Sequence, residues 1–297
     1  MMPTSLESPA GTGAAKARRS RLARRLRRNA VSLAALVVLI VIALAAIFAP
    51  VVAPYHPDVP DAEYSLSAPM LRHPLGTDLY GRDQLSRIIH AGRIDLLVAV
   101  AATGGALLVG VLVGALSGYR GGWVDQVVMR IVDSVMAFPA FVLAMGITAA
   151  MGNAVINVVI AIGITQVPGY VRLIRGEMFR VREMEYADAA RVVGNPGWRI
   201  VLVHLLPNCI PPLIVQATLA MGYAILTMAA LAYLGLGIRP PQSEWGSMTA
   251  EGASELVTGA WWLFLFPGLA IVLTVLAFNL LGDSLRDLLD PRMRGRR

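Results

Sequence analysis

EYADAARVVGNPGWRIVLVHLLPN, running from Glu185 to Asn208, is a polar island between hydrophobic runs, and it reads as two short helices joined by a hinge. In its first half Tyr186, Ala189, Ala190 and Val193 follow the i, i+3, i+4, i+7 spacing that gathers side chains on one helical face, while Glu185, Asp188 and Arg191 point elsewhere. Gly194 is placed to take the left-handed conformation that ends a helix. Asn195-Pro196 offers an N-cap followed by a first-turn proline, and the second helix carries an apolar stripe of Trp198, Val201, Leu202 and Leu205. Pro207 has no N–H to donate and marks the next expected break.

What surrounds this island belongs in a bilayer. The 297 residues are 56% hydrophobic and 15% charged, with a mean hydropathy of +0.63, whereas soluble domains carry about 25% charged residues. Runs free of Asp, Glu, Lys and Arg extend over residues 29–57, 96–119, 134–171, 205–238 and 256–282, and each meets the requirement of about 20 apolar residues for a crossing helix. The third run holds two helices, 134–151 and 154–171, turned at Met151-Gly152-Asn153. Six crossings are therefore expected, starting near residues 31, 96, 134, 154, 209 and 261. With both termini inside, 21 of the 26 Lys and Arg residues fall on the cytoplasmic side, as the excess of basic residues in cytoplasmic loops requires. The Glu185 segment then faces the cytosol.

The net charge of +7 is concentrated in KARRSRLARRLRR, residues 16–28, immediately before the first apolar run. At that place it reads as a topogenic and lipid-facing arm rather than a nucleic-acid surface. The apolar run that follows is longer than the core of a cleavable signal peptide, so a retained helix is expected. One cysteine, Cys209, forbids an intrachain disulfide. The expected organisation is a basic cytoplasmic tail over 1–29, a first crossing with an outer loop over 30–95, a core membrane domain over 96–292 and a basic tail over 293–297.

The outer loop carries HPLGTDLYGRDQLSRIIHAGRIDL from His73 to Leu96. Gly76 and Gly81 are turn residues, Thr77 or Asp78 is placed to cap a short helix, and Arg82, Asp83 and Arg87 are placed to form charge pairs on it. Gly110, Gly114 and Gly118 fall at i, i+4, i+8 in the second span, where the lack of side chains lets another helix approach closely for packing or gating. Tight turning is expected at Gly121-Gly122, a pair between Arg130 and Asp133 at the membrane edge, a kink at Pro139, and an exit from the membrane at Gly235, Gly237, Pro240 and Pro241. Trp245, Trp261 and Trp262 suit the outer interfacial zone, and Asp283, Arg286 and Asp287 follow the last span in cytosolic water.

At nearly every motif position the Glu185 segment resembles the EAA signature of bacterial ABC importer permeases. The match falls on Glu185, Ala189, Ala190, Gly194, Leu206 and Pro207, with Tyr186 inserted after the Glu. That variant, with His204 and Asn208, is similar to the dipeptide, oligopeptide and nickel branch. The element containing His73, Gly76, Asp78, Gly81, Arg82, Asp83 and Arg87 resembles that of the second, C-type permease of the branch, although family patterns usually place Ser where this chain has Asp95. Stretches 118–141, 231–252 and 261–292 extend the resemblance. It implies an all-α, type I importer-like transmembrane domain with six helices, N-in and C-in, whose Glu185 segment is a coupling helix docking on an ATPase. It also implies a homologous second permease, two ATPase subunits holding ATP and magnesium, and an extracytoplasmic binding protein. Short peptides are the first expectation for cargo, with nickel chelates, glutathione or another small solute as the alternative.

Chemistry of other kinds finds little footing. A phosphate-gripping G-x-x-x-x-G-K-[ST] loop is absent, so ATP hydrolysis is expected in partner chains and no cofactor is expected in this one. His56, His73, His90 and His204 lie on different segments and sides, a poor basis for a metal site, and no nucleophile stands with a partnered base. The expected spans hold no ionisable group of the kind a secondary carrier uses for proton coupling, which favours energy supplied from outside over a secondary carrier, a channel or a membrane enzyme.

Overall fold

A computed structural model describes residues 30–238 and 242–289. The basic arm, Arg239, Pro240, Pro241 and the C-terminal tail lie outside the described residues. The architecture is a bundle of helices: α1 (Ala30–Ile47), α2 (Gln84–Arg120), α3 (Gly122–Met136), α4 (Ala140–Met151), α5 (Val155–Arg182), α6 (Glu185–Val192), α7 (Gly197–Tyr233), α8 (Trp245–Ser254) and α9 (Trp262–Leu289). Short turns at Ala49–Val52, Ala62–Tyr64 and Glu255–Thr258 fill out the outer side. Five helices, α1, α2, α5, α7 and α9, are long and apolar enough to cross a membrane, and α3 with α4 forms a sixth crossing if the bent pair counts as one.

Most helices depart from the expected boundaries; α5 runs on to Arg182, past the expected end at residue 171, and others depart for physical reasons. α2 starts at Gln84, well before residue 96, because Asp83 caps it by accepting the Ser86 N–H at 2.8 Å. Its 37 residues extend about 55 Å at 1.5 Å per residue, so its first turns stand outside the hydrocarbon, where charges are tolerated. The kink expected at Pro139 within 134–151 is a full break: α3 and α4 meet at 83°. Pro139 forces the change, being the extended residue that precedes α4 and restricting Phe138 before it. α7 runs through Pro207 without the expected break. A π-helical turn, Ile200–Leu205, precedes the proline, the Leu206 N–H reaches back to Val201 O, and the Asn208 side chain donates to His204 O at 2.8 Å. The helix thus continues into the proline on a widened turn, with the Asn208 side chain serving one of the carbonyls beside it. Asp283, Arg286 and Asp287 lie within α9, which continues to Leu289.

Two cores stack along the membrane normal. The outer one gathers Ala91, Val98, Ala102, Ile162, Ile225, Met228, Trp245 and Met248; the inner one gathers Ala106, Tyr170, Ile174, Met178, Ala187, Ala190, Ile200, Leu205 and Leu213. Both rest on a close crossing of α2 and α5. A Cβ at Gly114 would stand 2.7 Å from Val171 O, one at Gly118 2.7 Å from Met178 Cβ, and one at Gly110 would run into Tyr170. The glycine spacing seen in the sequence is a packing seam.

At the inner membrane edge Asp133 pairs with Arg172 at 2.6 Å rather than with Arg130. Asp125 on α3 holds Arg175 of α5 and accepts the Ser117 hydroxyl of α2 at 2.6 Å, so three helices share one carboxylate. The Ser32 and Ser284 hydroxyls join the cytosolic ends of α1 and α9.

The seam predicts a contrast within one helix. A Cβ at Gly104 would meet nothing within 4 Å, while one at Gly114 meets backbone, so Gly104→Leu should change stability by less than about 0.5 kcal/mol and Gly114→Leu should lower it by about 3 kcal/mol or prevent folding. Thermal unfolding in detergent checks both, and equal effects would contradict the seam.

Candidate functional site

On the cytosolic side α5 hands over to α6 through Glu183 and Met184. The α6 face that turns inward is Ala187 and Ala190, packed on Met178, Ile200 and Leu205. Of Tyr186, Ala189, Ala190 and Val193, which the spacing gathers on one face, only Ala190 is buried, so most of that face is left open. Alanines allow the short helix to lie close against its neighbours, so its bulky residues point away. Tyr186 is 37% exposed, Val192 88%, Val193 81% and Trp198 66%, forming an apolar knob that no part of the described chain covers. Glu185 sits in the first turn, where its charge suits the helix N-terminus.

The hinge after α6 is tightly specified. Gly194 takes φ +82°, its N–H reaches Arg191 O at 2.9 Å, and the Asn195 N–H reaches Ala190 O at 3.2 Å. These are the paired bonds of a Schellman stop, which requires a left-handed residue. The Asn195 side chain also donates to Ala190 O, at 3.1 Å. Asn195 therefore closes α6 rather than capping α7, and Pro196 occupies the cap position instead of the first turn. Arg191 clamps the helix from the other side, pairing with Asp188 at 2.6 Å and reaching Arg182 O, the end of α5, at 3.1 Å. Gly197 sits against Tyr119 of α2. Leu206 and Pro207 lie in the adjoining stem of α7, away from the knob.

The outer-loop residues converge into a buried polar latch. Asp78 receives Arg82 Nε at 2.6 Å and Arg87 NH1 at 2.7 Å; Asp83 receives the Ser86 hydroxyl at 2.7 Å and meets His73 Nδ1 at 2.9 Å. The cap is Asp83, not Thr77 or Asp78, because Asp78 is occupied by arginines. Gly76 and Gly81 adopt φ +77° and +76°, and a side chain at Gly81 would collide with Asp61 O. Arg87 also reaches Glu251 on α8 at 3.3 Å. Trp262 donates its indole N–H to Thr77 O at 3.1 Å and Trp245 donates to Ile88 O at 3.0 Å. Both tryptophans are buried clamps rather than interfacial anchors, and Trp261 alone of the three is exposed.

Asp95 and Glu244, both fully buried, close the latch from below. The two carboxyls act on each other across the buried site, the Asp95 carboxyl accepts the Trp245 N–H at 3.3 Å and keeps its other oxygen unpartnered, and Glu244 caps α8 through the Gly246 and Ser247 N–H groups at 2.7 Å each. Burial pushes the Glu244 carboxyl above its ordinary range, against those N–H bonds, which favour its charged form. The charge-free criterion missed Asp95, which is an ionisable residue inside α2.

A cleft of about 520 Å³ opens where the α3–α4 bend faces α5 and α7. Phe138, Pro139, Leu143, Leu219 and Tyr223 form its apolar walls, and Gln166, Tyr170 and Gln216 bring polarity without charge. Gln166 donates to Ala220 O at 3.2 Å, leaving its carbonyl oxygen, like the Tyr170 hydroxyl, buried and unpartnered. An unmade bond of this kind costs about 1–3 kcal/mol. The sequence signal for the cleft was Gln166 and Gln216 inside runs otherwise free of charge. Among the described residues no His, Cys, Asp and Glu cluster fit for a metal forms.

The latch predicts a pH dependence. Because the folded-state pKa of Glu244 is raised, stability tied to its protonated form is complete below the ordinary carboxylate range and is lost as pH rises through the raised value. In Asp95→Asn an amide can donate to Glu244 without adding charge, so the fall in thermal midpoint between about pH 5 and about pH 8 should be shallower than in the parent. Superimposable pH profiles would contradict the interaction of the two buried carboxyls.

Residues 110–295 match the binding-protein-dependent transport system inner membrane component, and residues 19–69 match the N-terminal transmembrane domain of oligopeptide transport permease C. The chain is 44% identical over 253 residues to a di/tripeptide transport system permease of Pseudomonas aeruginosa, covering 83% of each. It is 42% identical to a probable D,D-dipeptide permease of Escherichia coli, over 84% of this chain and 83% of that one. A glutathione transport system permease of Pectobacterium atrosepticum is 42% identical over 76% and 75% of the two chains. Motif, fold and likeness along most of the chain agree: the protein belongs to the family of binding-protein-dependent transport system inner membrane components, multi-pass permeases of ABC importers.

Proposed function

We propose that this chain is the permease subunit through which an ATP-driven importer moves short peptides inward across the membrane. The observation that carries the reading is the exposed apolar knob of Tyr186, Val192, Val193 and Trp198, held on a rigid hinge at the cytosolic face of a chain that has no nucleotide loop. An ATPase subunit covers the knob, and a pair of such subunits holds the ATP and magnesium; the permease itself is not catalytic. A homologous second permease completes the pathway across the face that bears the cleft. An extracytoplasmic binding protein delivers cargo to the side of the outer latch. Relatives described as dipeptide and di/tripeptide permeases support peptides as the cargo, and the glutathione permeases among them support a second reading in which the carried peptide is glutathione.

In the transport step, closure of the ATPase pair displaces α6. The Schellman stop and the Arg191 clamp pass that displacement to α5 and α7 instead of absorbing it, and the glycine seam makes α2 move with α5. Rocking of packed helices between two arrangements then switches the side from which the cleft is open.

Complexes reconstituted with the ATPase and the binding protein test this. Val192→Asp alters an exposed side chain and should change permease stability by less than about 0.5 kcal/mol, yet weaken ATPase association more than about tenfold by placing a charge in an apolar contact. Gly194→Leu meets no neighbour but forces a bulky residue into the left-handed region, costing about 1–2 kcal/mol; substrate-stimulated ATP hydrolysis should fall much more than membrane insertion. Full transport and stimulation in both variants would contradict the assignment.

A further inference from the structure

We propose that the cleft grips the main chain of a passing peptide, with the Gln166 side-chain oxygen accepting a peptide N–H and the Tyr170 hydroxyl donating to a peptide carbonyl. The proposal rests on the peptide reading given above and names the chemistry by which the permease itself meets its cargo. Three observations converge on it.

The first is the pair of orphaned atoms. Gln166 and Tyr170 both border the cleft, and each keeps a buried polar atom with no partner in the chain. The Gln166 amide is oriented by its bond to Ala220 O, so the free oxygen is a fixed acceptor, and the tyrosine is a ready donor. A peptide backbone offers the complementary pair, a donor and an acceptor in every residue.

The second is spacing. The two residues are one helical turn apart on α5, an axial rise of about 6 Å. Backbone groups on one edge of an extended peptide repeat every second residue, at about 6.6 Å. A strand lying along α5 can therefore meet both side chains in register.

The third is what the cleft lacks. No Asp, Glu, Lys or Arg lines it, so nothing there selects a charged side chain or pairs with a charged terminus. Recognition limited to amide groups passes peptides of differing sequence, and leaves selection to the protein that delivers them. Both orphaned atoms are shielded from solvent in this conformation, and parting of α5 from the α3–α4 bend or from α7 bares them to cargo.

The test is uptake into proteoliposomes holding the whole complex with its binding protein. The probes are trialanine and the analogue in which an ester oxygen replaces the N–H of the second alanine. Comparing permease variants with one binding protein removes the binding protein's own preference from the ratio. The parent should favour the amide, and Gln166→Met should reduce that preference about tenfold, the loss of one well-placed hydrogen bond. Tyr170→Phe removes a single oxygen, so it should slow trialanine uptake severalfold while thermal stability holds. If Gln166→Met slows both probes equally or neither, or if Tyr170→Phe transports like the parent, the main-chain grip is overturned and the peptide reading stands. If the parent complex imports no peptide of any kind, the peptide reading itself falls.

Discussion

Inside hydrocarbon every peptide N–H and C=O must be satisfied by the protein itself, and this bundle changes direction only where that requirement is met locally. Just outside it, at the cytosolic Gly194, the stop is likewise a pair of backbone bonds with the Asn195 amide added. Ahead of Pro207 a π turn carries the chain into the proline, and the Asn208 side chain bonds His204 O beside it. At Pro139 the chain turns by 83°, and the turn opens the cleft. The places where helices are hard to continue are also the places where the molecule does something.

The same economy explains the two-storey core. α2 and α5 touch backbone to side chain along Gly110, Gly114 and Gly118, so they behave as one element running from the outer latch to the cytosolic knob. Arginines, aspartates and buried tryptophans hold the outer end, while alanines hold α6 at the inner end. Asp125 and Arg175 add an ionic tie where α2, α3 and α5 converge. The packing is thus continuous from α6 through α5 to α2, and the cleft lies beside the α3–α4 bend.

Much of this was legible in the residues. The runs without charge located the crossings, the glycine spacing marked the seam, and Gly194 announced its left-handed turn. Reading failed where tertiary context overrode local pattern. Charge-free runs concealed the outer turns of α2, since Arg87 and Asp95 find partners elsewhere in the chain, Asp78 and the Trp245 N–H. Trp245 and Trp262 have the composition of interfacial anchors, but carbonyls at Ile88 and Thr77 draw them inward. For α6 the spacing grouped Tyr186, Ala189, Ala190 and Val193, but alanine patterns did not say that Ala187 would join Ala190 against the bundle. Arg130 lost Asp133 to Arg172, a residue on another helix that no local spacing reveals.

The central claim, that an apolar knob on the cytosolic side is the surface through which an outside motor drives this bundle, meets its most direct test in one labelling experiment. Val192→Cys, in a background where the buried Cys209 is replaced by Ala, is treated with an impermeant maleimide in oriented membrane vesicles. The account predicts rapid modification when the cytosolic face is outward, none when it is inward, and protection once the ATPase subunits bind. Modification from the opposite face, or labelling that the ATPase subunits leave unchanged, would contradict it.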